Sequence, residues 1–599
     1  MRNIKYLASM ALACVMSFNS CIDADVKDAL EYGEHYKSAE DADNAVLGVY
    51  SSFMKIAGQI VVLNELRADL MDLTANSGIE LQEIDANNPS ESNSYADPTP
   101  FYNVILNCND VLANLEIMYK NNRLNETQFL ERYSDIIAMR CYMYLQLVAQ
   151  FGKVPYITVP IVTVNDIKDI TKQDWLDIDQ LLDKLIESMT MKTVTGKTVS
   201  LDPYAESPLI KNTLDGYDLS YYFINKRLLL GDLYLWRAND FDKKNYYELA
   251  ATQYKKVMDT DSELDATKNY LKMKVCGVDT WSNATQNSNY YYQIFFLRYH
   301  ADDANSYHNQ WCNMFSDVMS GRRVPYEWIW TMSYDPAYAP TFPLIDLFAT
   351  KTKGGDYQLM PSDYVVKDLW GKQKMSNGFT FDGRGESSSY NITPEGNEIA
   401  KYLYQYDPMM PYQKGGRLFL YRAALVHLRY AEAVNRAGYP KIAYSLINQG
   451  LCNTFGTDEG YLIVDNPEPY YFACSWTDAG TPHGYRREPW RQNRGIRGRV
   501  TLVSKEESEF TNGKTLADCT SVADSISVIE KIIIDEAALE CAFEGNRYSD
   551  LIRVSHRMNI NGEDGNKFLQ DIISSKYKHN GRQAPDYSSE ERWFLPFFE

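Results

Sequence analysis

Residues 535–553 read DEAALECAFEGNRYSDLIR. Charged side chains in this stretch recur at intervals of three or four residues, so several of them share one face of a predicted helix. They are Glu540, Glu544, Arg547, Asp550 and Arg553. A catalytic role would need two carboxylates placed across a cleft, as in glycosidases. Ion pairs that lock the packing of helices explain the spacing better, and we predict that role.

Helical spacing continues through much of the chain. Between residues 128 and 151, apolar and aromatic side chains fall three or four apart, which predicts a helix that buries one face. Gly152 predicts the end of that helix, and Pro155 prevents its resumption. Residues 174–189 predict another amphipathic helix. Further helices are predicted near residues 39–56, 101–119 and 524–544.

Two segments predict pairs of antiparallel helices. In the first, residues 218–259, the sequence Leu230-Gly231-Asp232-Leu233-Tyr234 matches part of a tetratricopeptide repeat, in which the glycine lets the two helices approach. The second runs from Leu418 to Arg436 and, after a turn, from Lys441 to Leu451. About four such pairs, stacked together, would bury a continuous core. We predict a mainly α fold, a tetratricopeptide-like helix-pair scaffold with a large, irregular, loop-rich ligand-binding lobe.

The predicted lobe is formed by residues of about 260–415 and 453–515, which are rich in Tyr, Trp, Asn, Gly and Pro. Loops this long inside a compact protein are usually functional. The helical scaffold then covers about 39–260 and 415–599, and residues 39–599 form a single domain.

The N-terminus predicts a lipoprotein. Arg2 and Lys5 precede a mostly apolar run that is too short to span a bilayer. Ser20 then stands directly before Cys21, as at a lipoprotein cleavage site. We expect residues 1–20 to be a signal peptide, Cys21 to carry lipid, and residues 21–38 to form a tether. An ordinary secretory signal remains the alternative. No later run approaches about 18 consecutive apolar residues, so lipid is the only membrane anchor that we predict.

The amino-acid composition limits the classes of ligand that this protein can bind. The formal charge of −20 argues against nucleic acid, because phosphate binding needs clustered cations. A polyanionic substrate is also disfavoured. Tyrosine is abundant, with 46 copies, and many of these rings must lie near the surface because a core cannot easily satisfy so many hydroxyls.

Residues 535–553 resemble the pattern E-R-x-x-E-L-x-F-E-G-x-R-[WY]-x-D-L-x-R of the SusD/RagB family of nutrient-binding outer-membrane lipoproteins. They depart from it at the initial Glu-Arg, where Asp535 and Glu536 stand. Other segments resemble the family in the same order. They are residues 102–109, 140–155 and 422–438 and, in altered form, the closing residues 593–599.

The resemblance implies a tetratricopeptide-like scaffold with a variable ligand-binding lobe. It also implies a partner, a SusC-type TonB-dependent outer-membrane transporter, over which the lipoprotein sits as a lid. Asp23 and Asp25, directly after the lipidated cysteine, fit export to the cell surface in this family.

An aromatic and amide-rich part of the lobe predicts the binding site. Sugars present C–H faces that stack on aromatic rings and hydroxyl groups that need amide partners. We predict glycan contacts from Trp281, Tyr290, Trp311 and Trp328, which are interleaved with asparagines such as Asn305 and Asn309. The opposing interpretation is that most of these rings belong to the core of the lobe. A second candidate function is peptide capture, and a third, from another class, is a helical glycoside hydrolase or lyase.

Other clusters of charged residues suit structural roles better than catalytic or metal-binding roles. Six arginines between Arg486 and Arg499 suit internal salt bridges or a partner-facing patch, because the strand and Lys-Ser/Thr of a phosphate loop are missing. His300 and His308 are a weak metal signal, and residues 259–265 fail the pattern of a calcium loop. No hydrolase or metalloprotease motif occurs. We predict no catalytic residues, no metal and no cofactor.

Overall fold

The computed structural model describes residues 36–161, 174–194, 196–201, 204–211, 213–238, 244–258, 304–317, 327–455 and 494–598, with short strands at 457–458, 462–463, 476–477 and 486–487. Helices dominate these residues, which confirms the predicted mainly α fold. In chain order the helices are α1 (Ala39–Phe53), α2 (Ala57–Glu65), α3 (Ile79–Asp85), α4 (Thr99–Lys120), α5 (Glu126–Phe151), α6 (Ile178–Thr190), α7 (Lys226–Arg237), α8 (Lys244–Met258), α9 (Ala304–Ser316), α10 (Leu344–Phe348), α11 (Ala423–Arg436), α12 (Pro440–Ile447), α13 (Leu451–Phe455), α14 (Gly495–Gly498), α15 (Val522–Glu540), α16 (Arg547–Ile560) and α17 (Gly565–Asn580).

The strands of the described residues are short and form eight antiparallel pairs. They are β1 (Met71–Leu73), β2 (Lys153–Pro155), β3 (Trp175–Asp177), β4 (Met191–Val194), β5 (Lys197–Ser200), β6 (Thr213–Leu214), β7 (Tyr217–Asp218), β8 (Trp328–Tyr334), β9 (Leu359–Pro361), β10 (Tyr390–Thr393), β11 (Gly396–Ile399), β12 (Gly416–Arg422), β13 (Thr457–Asp458), β14 (Leu462–Ile463), β15 (Trp476–Thr477) and β16 (Arg486–Arg487). The pairs are β1–β9, β2–β3, β4–β5, β6–β7, β8–β12, β10–β11, β13–β14 and β15–β16.

The ends of α5 follow from its sequence. Asn125 and Gln128 form a reciprocal capping box at the start of the helix. Gly152 ends the helix with a φ of 70°, as predicted. A side chain at this glycine would stand 2.5 Å from the ring of Phe594, so the C-terminal segment packs directly over the end of the helix.

Neighbouring helices pair and stack as the repeat motif predicts. Helix α4 packs on α5, α7 on α8, α11 on α12, and α16 on α17, while α8 and α11 join two of these pairs. Helices α7 and α8 approach closely at Gly231, where an added Cβ atom would lie 2.7 Å from the ring of Tyr254. The Tyr254 hydroxyl donates to Asp232 Oδ1 at 2.5 Å, so the ring cannot move aside without breaking a buried hydrogen bond.

We expect Gly231→Ala to destabilise the protein by about 1–3 kcal/mol, the usual cost of overpacking. Gly48→Ala is the matched control, because Gly48 is an exposed residue of α1 with no atom within 4 Å of an added Cβ. That change should stabilise the helix by about 0.5–1 kcal/mol. Urea unfolding followed by far-ultraviolet circular dichroism measures both, and equal effects at the two sites would contradict the close helix approach.

The stretch Ala39–Glu65, which contains α1 and α2, is the one described helical segment long and apolar enough to cross a membrane. Within the folded chain, 67% of its most apolar window is buried. It packs against α4, α5 and α16. We therefore assign it to the core.

One helix boundary was predicted wrongly. The helix expected from Leu418 begins only at Ala423, and residues Gly416–Arg422 form strand β12. Short apolar runs fit helix and strand equally well by periodicity alone. Here all seven residues are buried, and pairing with β8 satisfies the backbone groups of β12 that face that strand.

The ion pairs predicted for residues 535–553 are confirmed. Arg547 Nε lies 2.7 Å from Asp69 Oδ1 in the segment after α2. Arg553 bridges Glu432 of α11 and Asp550 of its own helix, with nitrogen–oxygen distances of 2.5 and 2.7 Å. All of these groups are buried, so the charges join helices from both ends of the chain.

Candidate functional site

An exposed surface of aromatic and amide side chains lies where α9 meets residues 400–413. The Tyr404 hydroxyl donates to Asn309 Oδ1 at 2.8 Å, and Gln405 Nε2 donates to Asn313 Oδ1 at 3.2 Å. Tyr404 is 44% exposed. We call His308, Asn309, Asn313, Tyr404 and Gln405 the Tyr404 surface.

The ring of Tyr404 is held in place from several sides. The His308 ring meets it edge-on, with centroids 6.0 Å apart and planes at 87°. On the backbone, Leu403 N–H donates to Ala400 O and Tyr406 N–H donates to Leu403 O, which makes two consecutive turns. A ring that is already fixed loses little conformational entropy when a ligand stacks on it.

Two polar groups of this surface remain available. Among the described residues, no hydrogen-bond partner meets the Nδ2 amide of Asn309 or the Oε1 oxygen of Gln405. One is a donor and the other an acceptor. The surface can therefore both donate to and accept from a ligand hydroxyl or amide.

Apolar side chains extend the same segment. Met409 is 86% and Tyr412 68% exposed, and Met410 lies between them in sequence. Met410 N–H donates to Asp407 O, and Gln413 N–H donates to Met410 O, so turns also shape this part. Exposed side chains of this type on an ordered segment are typical of binding surfaces.

Trp311, a predicted glycan contact, faces the opposite way from Asn309 on α9. Its ring is fully buried, with Lys401 Nζ 5.1 Å and the Arg422 guanidinium 5.5 Å from its centroid. Trp328 is also buried, and the guanidinium of Arg417 lies 3.4 Å from the centroid of its ring. Both rings are core residues, which corrects the expectation that they stack on a ligand. Trp311 instead fixes the helix that carries Asn309.

A buried ion network lies beneath α9. In the described residues it contains five cations and five carboxylates, namely Arg384, Lys401, Arg422, Arg497 and Arg499 with Glu327, Asp382, Glu536, Glu540 and Glu544. For Arg497 and Arg499 the predicted internal salt bridges are confirmed. Arg494 is exposed, and the side chains of Arg486, Arg487 and Arg491 lie outside the described part of the chain. Burial raises the pKa of Glu540, but the three surrounding guanidinium groups outweigh it and hold that pKa well below its ordinary value.

His308 and Cys312 lie close together but do not form a nucleophilic pair. Their Sγ and Nδ1 atoms are 3.6 Å apart. Burial raises the pKa of the Cys312 thiol to about 12, so it is protonated at neutral pH. Burial also lowers the pKa of His308. Among the described residues, no group of three or more His, Cys, Asp or Glu side chains could hold a metal ion.

Solved structures share this architecture. A SusD homolog from Bacteroides thetaiotaomicron VPI-5482 matches with a TM-score of 0.55 and 14% identity, covering 95% of this chain and 96% of that chain. The chain has the SusD fold. A SusD superfamily protein from Bacteroides vulgatus ATCC 8482 matches with a TM-score of 0.51 and 15% identity, over 94% and 96% of the two chains. Surface glycan-binding protein A from Bacteroides uniformis gives 0.52 and 13%, also over 94% and 96%. No family model and no curated protein matches the sequence.

Three predicted positions of this SusD-like chain lie outside the described residues. They are Trp281 and Tyr290 of the glycan site and Cys21 of the lipid anchor. The segment 259–265 and His300 lie outside as well. The roles assigned to these residues from the sequence remain predictions.

Sequence reasoning missed Tyr404, and the local pattern would have misplaced it. Tyr402, Tyr404 and Tyr406 alternate just before Pro408 and Pro411. In an extended segment, residues two apart point to the same side, so this alternation predicts that the three rings lie together. In this chain the segment forms consecutive turns instead, and Tyr402 is fully buried while Tyr404 is exposed.

Proposed function

We propose that this protein is a lipid-anchored glycan-binding protein at the surface of the outer membrane. It captures oligo- or polysaccharide and delivers it to a SusC-type TonB-dependent transporter. The observation that carries the proposal is the Tyr404 surface, where a fixed, exposed ring stands beside the Asn309 Nδ2 donor and the Gln405 Oε1 acceptor, neither of which bonds to a described residue.

The chemistry of sugars suits this arrangement. A pyranose presents a C–H face that stacks on an aromatic ring, and its hydroxyl groups then need donors and acceptors at the rim. Asn309 and Gln405 supply one of each beside Tyr404. The solved structure of the Bacteroides uniformis surface glycan-binding protein, which has the same fold, supports this choice of ligand.

Peptide capture is the second candidate. The strongly exposed Met409 favours it, because methionine adapts to irregular apolar surfaces such as peptide side chains. A helical hydrolase or lyase is the third. A panel of polysaccharides and peptides, assayed for retention and for new reducing ends, separates these functions. We expect retention of a glycan without product, and product formation abolished by one carboxylate substitution would show an enzyme.

Tyr404→Ala is the direct test of the surface. We expect binding of the retained glycan to weaken about five- to thirtyfold, because a stacked ring contributes about 1–2 kcal/mol. The melting temperature should change little, since the side chain is exposed. Tyr404→Phe should keep most of the affinity, because it retains the ring and loses only the bond to Asn309.

Phe379→Ala provides the matched control. Phe379 is also an exposed aromatic residue, at 70%, but it belongs to a separate turn that contacts residues 501–503. Affinity should be unchanged in this variant. Isothermal titration calorimetry measures all three variants, and normal binding by Tyr404→Ala would place the glycan site elsewhere.

The proposed anchor rests on Cys21, with the basic and apolar segments before it. We expect Cys21→Ala to release the protein from the outer membrane, because acyl chains would be its only hold on the bilayer. Membrane fractionation measures the release. Mass spectrometry of the wild-type protein should find the acyl group on Cys21 as the first residue, and a mature N-terminus at another position would contradict the proposal.

A further inference from the structure

A polar cleft on the helical scaffold is a second place where a ligand fits. It lies between α4, α5 and α6, with β4 and residues 156–158 at its edges. Its volume is about 370 Å³, which falls within the range of small-molecule sites, about 300–1,000 Å³. It is formed by other residues than the Tyr404 surface.

Arg140 lies at the bottom of this cleft with an unbalanced charge. It is only 7% exposed, and Nη1 donates to Asn109 Oδ1 at 2.8 Å. Asn109 is otherwise engaged, because its Nδ2 donates to the backbone oxygens of Ile157 and Val159. No carboxylate of the described residues lies within ion-pair distance of Arg140. A buried arginine normally has such a partner, because an uncompensated charge is costly.

The other charges of the cleft neutralise one another. Lys192 Nζ lies 2.9 Å from Glu116 Oε1, and Lys184 Nζ lies 3.5 Å from Glu187 Oε2. The two acidic side chains are therefore not available to Arg140. Together, the described charged groups that line the cleft have a net charge of +1.

Hydroxyl groups line the rest of the wall. The Tyr156 hydroxyl is 3.4 Å from Ser188 Oγ, and the side chain of Thr158 is exposed at the edge of the cleft. The Tyr133 hydroxyl donates to Glu116 Oε1 at 3.3 Å. Such a wall suits a ligand that carries several hydroxyl groups of its own.

We propose that this cleft binds a small polyhydroxylated carboxylate, of the class of the sugar acids. The ligand carboxylate pairs with the guanidinium of Arg140, whose planar fork matches two carboxylate oxygens. The ligand hydroxyls meet Tyr156, Thr158 and Ser188. The inference does not depend on the proposed glycan capture.

Calorimetric titration of the mature protein with D-glucuronate, D-glucose and acetate tests the ligand class. We expect D-glucuronate to bind. D-glucose should bind at least tenfold more weakly because it lacks the carboxylate, and acetate at least tenfold more weakly because it lacks the hydroxyls. Absence of D-glucuronate binding overturns the proposal, and so does equal binding of D-glucose or of acetate.

Two variants locate the site. Arg140→Gln removes the charge, and Thr158→Trp fills the edge of the cleft while leaving Arg140 in place; each should weaken D-glucuronate binding at least tenfold. The Thr158 change concerns an exposed side chain, so it tests the site even if Arg140→Gln fails to fold. Tyr404→Ala should leave D-glucuronate binding unchanged, which separates this site from the proposed glycan surface. Normal binding by Thr158→Trp, or loss of binding in Tyr404→Ala, would contradict the assignment.

Discussion

Arg422→Met is expected to destabilise the protein by about 3–5 kcal/mol, the usual effect of removing one partner from a buried ion pair. The Arg422 guanidinium is fully buried and donates to Glu544 Oε2 and Glu327 Oε2 at 2.7 Å each. It also donates to Glu540 Oε1 at 2.8 Å and to the Glu540 carbonyl at 2.7 Å. Methionine fills a similar volume but leaves five carboxylates facing four cations.

The midpoint and slope of urea unfolding at pH 7, followed by circular dichroism, measure this loss. Arg592→Met is the matched control, because it removes the same charged group from a side chain that is 57% exposed and paired with Asp586. An exposed pair contributes about 0–1 kcal/mol. If Arg422→Met unfolds at the same urea concentration as this control, the network does not stabilise the fold in the way its geometry indicates.

The helical part of this network could be predicted from sequence, but its partners could not. Periodicity places Glu540 and Glu544 at one end of a helical segment and favours structural ion pairs. It says nothing about which cation meets them. Arg384 pairs with Glu540 across 156 residues and Arg422 across 118, from segments that the sequence assigned to the lobe and to a helix.

The predicted binding residues show the same limit. Aromatic rings next to asparagines occur both in cores and on binding surfaces, so composition alone cannot separate Trp311 from Tyr404. Burial decides between them, and it depends on distant residues. Lys401 and Arg417 cover the rings of Trp311 and Trp328, whereas the segment 400–413 turns Tyr404 outward.

Five residues of β12, at positions 418–422, were assigned to a helix for a related reason. The periodicity of a short apolar run does not distinguish a helix from a strand. Here the run forms a strand because it pairs with β8, which lies about 90 positions earlier in the chain. The helices that were predicted well are long, and their own capping residues and glycines, such as Asn125 and Gly152, define their ends.

Trp311→Ala should lower stability and ligand binding together. Truncating a buried tryptophan costs about 3–5 kcal/mol, and this ring has no exposed surface. It packs against Phe315 with centroids 5.5 Å apart and lies beside the Lys401 ammonium. Because the buried ring anchors α9 in the core, we expect its removal also to displace Asn309 from the Tyr404 hydroxyl.

Urea unfolding by circular dichroism and glycan affinity by calorimetry, measured on the same preparations, distinguish this role from direct stacking. Tyr404→Ala should lose affinity at unchanged stability, whereas Trp311→Ala should lose both. Trp311→Phe keeps an aromatic ring in the core, so it should recover most of the stability that Trp311→Ala loses. It should also recover most of the glycan affinity, because α9 then keeps its position. A Trp311→Ala protein that is as stable as wild type but binds poorly would return Trp311 to the ligand site, because only an exposed ring can be removed without a cavity.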